Sequence, residues 1–158
     1  MKELPHTHSC FVCGEANPHG LKLRFHTDGQ KVTTRFRPGP THVGFKGVVH
    51  GGLAATVLDE IMVWACVVAT KQFAYCAELT VRYRKPLQPD QVVRVTAELT
   101  GNRKGRLFEA RAIILDEAGN ALVEATGKYM PIAAAALAPM QADLVGDRRM
   151  IEHSRETA

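Results

Sequence analysis

His50, Gly51, Gly52, Asp59 and Glu60 are the residues of this chain whose types and spacing point to chemistry. Two adjacent glycines open an apolar segment, and seven residues after Gly52 a carboxylate stands among Leu58, Ile61 and Met62. Burying an ionised carboxylate without a partner is costly. The start of a helix offers unpaired N–H groups and a partial positive charge. A polarising helix start and an acid on one apolar helix suggest a reactive centre. Spaced seven apart, Gly52 and Asp59 lie within about 20° of one helical face and about 10 Å apart along the axis. That is too far for both to act on one carbonyl in a single chain. Two antiparallel helices would bring Gly52 of one copy beside Asp59 of the other, so the spacing favours a site shared between subunits.

The elements that must position these residues are legible as periodicities. Leu21, Leu23 and Phe25 alternate with Lys22, Arg24 and His26, and Val32, Thr34 and Phe36 with Thr33, Arg35 and Arg37. These predict two strands joined at Asp28-Gly29. A loop follows over 38–50, marked by Pro38, Gly39, Pro40, Gly44 and Gly47, then a helix from about Gly51 to Thr70. Four more alternating runs centre on 79–83, 93–100, 108–114 and 123–129, separated by turn signals at Pro86 and Pro89-Asp90, at Gly101-Asn102 and Gly105, and at Gly119-Asn120. Their short connections predict an antiparallel meander. Leu53, Val57, Leu58, Ile61, Trp64, Ala65 and Val68 spread well around the helix. A helix apolar on most sides must be buried on most sides. One sheet does that only by curling around it, with a second copy of the chain finishing the burial. The predicted class is α+β, about six antiparallel strands curved around one long helix, which is the hotdog arrangement. Residues 1–20 form an N-terminal segment, 21–131 the domain, and 132–158 a tail with a short helix or disorder.

Composition bounds the rest. The chain has 158 residues, 46% hydrophobic and 23% charged, enough for one domain with a real core. A net charge of +4 suits an anionic small ligand better than a nucleic acid, for which a concentrated basic stripe is expected. The four cysteines, Cys10, Cys13, Cys66 and Cys76, do not make a disulfide framework. A reducing cytoplasm is the expected compartment. The polar opening lacks a signal peptide's apolar core, and the apolar run Ile61–Ala69 is too short to span a membrane. His6, His8, Cys10 and Cys13 have spacing open to zinc, but without a second Cys-x-x-Cys no metal or cofactor is assigned.

The sequence resembles the PaaI-like hotdog thioesterases. The resemblance rests on His50-Gly51-Gly52 with Asp59 nine positions after the histidine, and on Tyr83-Arg84-Lys85-Pro86 at the end of the third strand. It also rests on Cys10-Phe11-Val12-Cys13-Gly14 followed by Asn17-Pro18-His19-Gly20-Leu21, and spans about residues 10–131. It implies hydrolysis of an acyl thioester, usually acyl-CoA, without a cofactor, by a homodimer often paired into a tetramer. Two further readings stay open: a hotdog enoyl-CoA hydratase or dehydratase, and a non-catalytic acyl-CoA binder.

Within that chemistry the Gly52 N–H polarises the thioester carbonyl, a role in which losing one donor costs roughly 3–4 kcal/mol. Gly51 allows close backbone approach. Asp59 is the general base for water, or the nucleophile giving a mixed anhydride, with Glu60 as the competing acid. The structural alternative for Asp59 is a buried acid paired with a backbone group or an arginine. His50 orients the thioester or caps the turn. The family's asparagine six residues before this histidine is Gly44 here, and its serine or threonine near the third strand is absent. His42, and Cys76 or Tyr75, are the candidate replacements. Arg103, Lys104 and Arg106 around Gly105, and Arg84 with Lys85, are candidates for the coenzyme A phosphates; a solvated basic hairpin is the alternative for the first group.

Overall fold

The computed structural model describes residues 1–153. Helix α1 spans Gly51–Thr70, as its glycine start and apolar run predict. Lys71 closes it in the left-handed conformation at φ 60°, returning its N–H to the Val67 carbonyl and its Nζ to the Val68 carbonyl. Six short strands precede the helix: β1 (Lys2–Glu3), β2 (His6–Thr7), β3 (His26–Thr27), β4 (Lys31–Phe36), β5 (Val43–Phe45) and β6 (Val48–Val49). Four long strands follow: β7 (Ala74–Tyr83), β8 (Val93–Asn102), β9 (Phe108–Leu115) and β10 (Ala121–Pro131). A short helix α2 (Ala138–Ala142) leads into β11 (Leu144–Val145), which pairs with β2. Positions 154–158 of the predicted tail lie outside the described residues.

The main sheet is antiparallel in the order β1-β3-β4-β8-β9-β10-β7, and α1 packs against its five longest strands. Alternation along each strand sets the buried face. Val32 and Phe36 of β4, Val93 and Val95 of β8, Phe108 and Ile114 of β9, and Val123 and Tyr129 of β10 all turn onto the helix side.

Three expectations need correction. Leu21–Phe25 is not a strand: Lys22 sits at φ 53°, and the N–H groups of Leu21 and Leu23 bond to the carbonyls of Phe11 and Val12, so this segment pairs with the N-terminal loop. The last four strands are not a simple meander either. β8, β9 and β10 are, but β7 pairs with β10 on the outer edge. The connection from Arg84 to Val92 crosses back past the helix start, where buried Leu87 accepts the Val49 N–H and Asp90 bonds to Pro38. Nine extended residues reach about 30 Å, ample for the three strand spacings of about 4.8 Å that separate β7 from β8. Finally, the chain covers much of the helix's far side itself. Phe25 packs on Trp64 at 6.4 Å between ring centroids, and Val12, Cys13 and Leu23 join the same core. What stays only partly covered is a stripe along Gly52, Ala55, Thr56, Asp59 and Val63, beside edge strand β7.

On β10, Gly127 makes room for the fully buried Tyr129 ring. A Cβ at 127 would stand 2.6 Å from Tyr129 Cε2 and 2.8 Å from its hydroxyl. Gly127→Ala is therefore expected to destabilise the chain by about 1–3 kcal/mol in urea denaturation. An unchanged midpoint would contradict this packing.

Candidate active site

The helix start opens on a groove of about 610 Å³ lined by His50, Gly51, Gly52, Phe45, Arg84 and Lys85, among others. The strand-end motif and the glycine pair are thus neighbours, as a shared role requires. Phe45 stands 82% exposed at its rim. His50 is the N-cap of α1, and its Nδ1 accepts the Gly52 N–H at 2.9 Å. This corrects the assignment of that N–H as a free donor. Acceptance at Nδ1 fixes the tautomer and leaves Nε2–H as the donor of the imidazole. Among the described residues no acceptor meets the Gly51 N–H. The Gly51 carbonyl accepts the Tyr83 hydroxyl at 2.7 Å, and a side chain at 51 would stand 3.2 Å from that ring. His42 works through the loop: its Nδ1 accepts the Gly39 N–H and its carbonyl the His50 N–H, so it positions His50.

Asp59 lies two turns along, half-buried on the partly open stripe. Its partner is neither arginine nor backbone. The Tyr129 hydroxyl donates to Oδ1 at 3.0 Å, a bond to a charged acceptor worth about 1.5–3 kcal/mol. Burial and the Asp59 charge hold the Tyr129 hydroxyl well above its ordinary pKa, so it stays a donor. Cys76 stands opposite Tyr129 in the β7–β10 ladder, beside the same carboxylate. Burial and the Asp59 charge push its thiol up to about 11. One carboxylate oxygen is thus anchored, and Oδ2 takes no N–H or O–H bond among the described residues. The sequence reading missed Tyr129 as a site residue. Its only signal was a hydroxyl placed on an inward-facing position of the last strand.

Glu60 does not join Asp59. It turns to the other side of the helix, where its Oε1 accepts from Trp64 Nε1 at 3.1 Å and lies 3.6 Å from Cys10 Sγ. Burial, then the charge of Cys10, raises its carboxyl to about 7. The Cys13 thiol, chiefly, holds the Cys10 thiol below its ordinary value. His6 and His8 turn away, both to Glu15 at 2.9 Å.

Of the basic candidates, Arg84 makes a two-pronged pair with Glu124, while Lys85 is exposed without an ion pair among the described residues. Arg103, Lys104 and Arg106 form a solvated hairpin. Arg103 pairs with Glu109 at 2.7 Å, and the Arg106 N–H bonds to Arg103. Registry puts this hairpin at the opposite end of the sheet from Arg84 and Lys85. Within one chain the structure therefore brings His50, Gly51, Gly52, Arg84 and Lys85 together, and separately Asp59, Cys76 and Tyr129.

Residues 46–122 match the sequence profile of the thioesterase superfamily. No curated protein sequence matches the chain. Among solved structures, a protein described as a thioesterase superfamily protein is similar at TM-score 0.71 and 24% identity, covering 78% of this chain and 60% of its own. This chain thus spans less than two thirds of that protein's length. The Escherichia coli PaaI protein, from the phenylacetic acid degradation operon, is similar at TM-score 0.64 and 16% identity, with 72% and 81% covered. A Streptococcus mutans protein bound to acetyl CoA reaches TM-score 0.65 at 12% identity, with 70% and 89% covered. These likenesses show the hotdog fold.

If Asp59 raises the Cys76 thiol, Asp59→Asn should move the pH midpoint of Cys76 alkylation below about 11, read by peptide mass spectrometry. An unmoved midpoint would separate the two groups.

Proposed function

We propose that this chain, whose residues 46–122 match the thioesterase superfamily profile, hydrolyses acyl-CoA thioesters at sites shared by two copies. The observation that carries this reading is the split: a groove with donors and Lys85, unpaired among the described residues, at the helix start, and an anchored carboxylate two turns along the same partly open stripe. An antiparallel copy laid on that stripe would bring the His50 groove of one chain to Asp59 of the other. Its edge strand β7, with Tyr75 60% exposed, would meet its counterpart in a continuous sheet.

In this reading the acyl carbonyl accepts from His50 Nε2–H and the Gly51 N–H, with the helix start adding its partial charge. His50 thus takes over the donor role from Gly52, whose N–H fixes the imidazole. Lys85, with Arg84, faces the phosphates of coenzyme A. Asp59 Oδ2 takes a proton from water as the water oxygen attacks the carbonyl carbon, or attacks that carbon itself. On the first path the C–S bond then breaks, the thiolate leaves and takes the proton held by Asp59, and acid and free coenzyme A result. On the second, C–S cleavage releases the thiolate, which takes up a proton, and leaves an Asp59 mixed anhydride, which water hydrolyses to the acid and the free carboxylate. Tyr129 holds Oδ1 and leaves Oδ2 for the reaction, and the Cys76 thiol, beside the same carboxylate, serves in this reading where the family has a hydroxyl. The fold of a protein bound to acetyl CoA is similar to this one, which supports the ligand class.

Free-thiol release from a panel of alkyl- and aryl-CoA thioesters tests the reading. Asp59→Asn should lower kcat about 10²–10⁴-fold, and His50→Ala about 10²–10³-fold. No thiol release by the wild type from any substrate would overturn the thioesterase reading. Full activity in Asp59→Asn would overturn the role of Asp59 alone.

A further inference from the structure

The Cys-x-x-Cys loop meets Glu60 on the side of α1 turned away from Asp59, and nothing in thioester hydrolysis uses it. Cys10 Sγ, Cys13 Sγ and one Glu60 oxygen all lie within 4.8 Å of one another, although Glu60 comes from the helix fifty residues on. The separation of Cys10 Sγ from Glu60 Oε1 is 3.6 Å. A tetrahedral zinc with Zn–S of about 2.3 Å and Zn–O of about 2.0 Å places its sulfur and oxygen ligands about 3.5 Å apart.

The loop is shaped around these atoms. The Val12 N–H points to Cys10 Sγ at 3.2 Å, and the Gly14 N–H to the Cys10 carbonyl at 2.8 Å. A side chain at 14 would stand 2.2 Å from that carbonyl oxygen, so only glycine closes the turn. Trp64 Nε1 holds the Glu60 oxygen as an outer partner of a metal ligand does. The cysteines are not bridged. Among the described residues Glu60 has no ion pair. Arg24 donates to the carbonyls of Cys13 and Leu23, and His6 and His8 serve Glu15. A carboxylate enclosed with two thiols thus lacks a cation that the protein itself supplies.

We propose that Cys10, Cys13 and Glu60 bind one thiophilic divalent cation of the Zn²⁺ class, which fastens the N-terminal segment to helix α1. The two thiolates and the carboxylate supply three ligands, and water the fourth. The ion neutralises the enclosed acid and locks the Phe25 and Val12 side of the helix, so that only the Asp59 stripe stays partly open.

The test is Co²⁺ titration of the reduced, chelator-treated full chain, with the metal content of the freshly purified protein measured alongside. One Co²⁺ per chain is expected, with a near-ultraviolet thiolate-to-cobalt band. Cys13→Ser should weaken binding about 100-fold or more and dim the band. Glu60→Gln, nearly isosteric and so readable even if the cysteine variant does not fold, should keep the band and weaken binding about tenfold or more. His6→Ala combined with His8→Ala should change neither. The proposal is overturned if the wild type gives no band at excess Co²⁺, if Glu60→Gln binds as tightly as wild type, or if the histidine variant loses the metal.

Discussion

A twenty-residue helix with apolar side chains on most of its surface must be covered on most of its surface, and a sheet covers only the side it faces. In this chain five strands pack on α1 from that side, and the segment from Val12 to Phe25 closes over Trp64 from another. The remaining stripe runs from Gly52 through Ala55 and Asp59 to Val63. Small and polar residues stand there, which suits either solvent or the close approach of another helix. The position of the site follows from this covering. A polar group can lie on α1 only where the chain has left the helix open, or where an enclosed partner meets it.

Asp59 and Glu60 illustrate both cases one residue apart. A step of 100° sends Asp59 to the partly open stripe and Glu60 beneath the N-terminal loop. Each acid finds an unusual partner: a fully buried tyrosine for Asp59, a pair of thiols and an indole N–H for Glu60. The tyrosine depends in turn on Gly127, which leaves space for its ring. At the helix start the same logic of occupancy applies. Once His50 caps the helix, its Nδ1 is committed to Gly52, and the donors left facing the groove are its Nε2–H and the Gly51 N–H.

The sequence carried much of this because its strongest signals are local. Gly51-Gly52 marks the helix start and the end of the apolar run at Thr70 its stop. Alternation located β4 and the four strands after the helix. Period two, however, identifies a buried face and not a neighbour, so the pairing of β7 with β10 was not legible. Nor was the left-handed Lys22, which diverts Leu21–Phe25 into the N-terminal loop. The groove residues were legible because a helix start and a strand end both announce themselves. Tyr129 and the partner of Glu60 were not, since each contact joins positions fifty or more apart that only the closed sheet and the N-terminal cover bring together.

The central claim is that one helix carries halves of two sites and that neither half works alone. Coexpression of His50→Ala chains with Asp59→Asn chains tests it most directly, by thiol release from an acyl-CoA on which wild type is active. In a two-fold dimer, random pairing makes half the dimers mixed, each with one intact site, so activity should return to about one quarter of wild type. Activity no higher than that of the two single variants would contradict a site built from two chains.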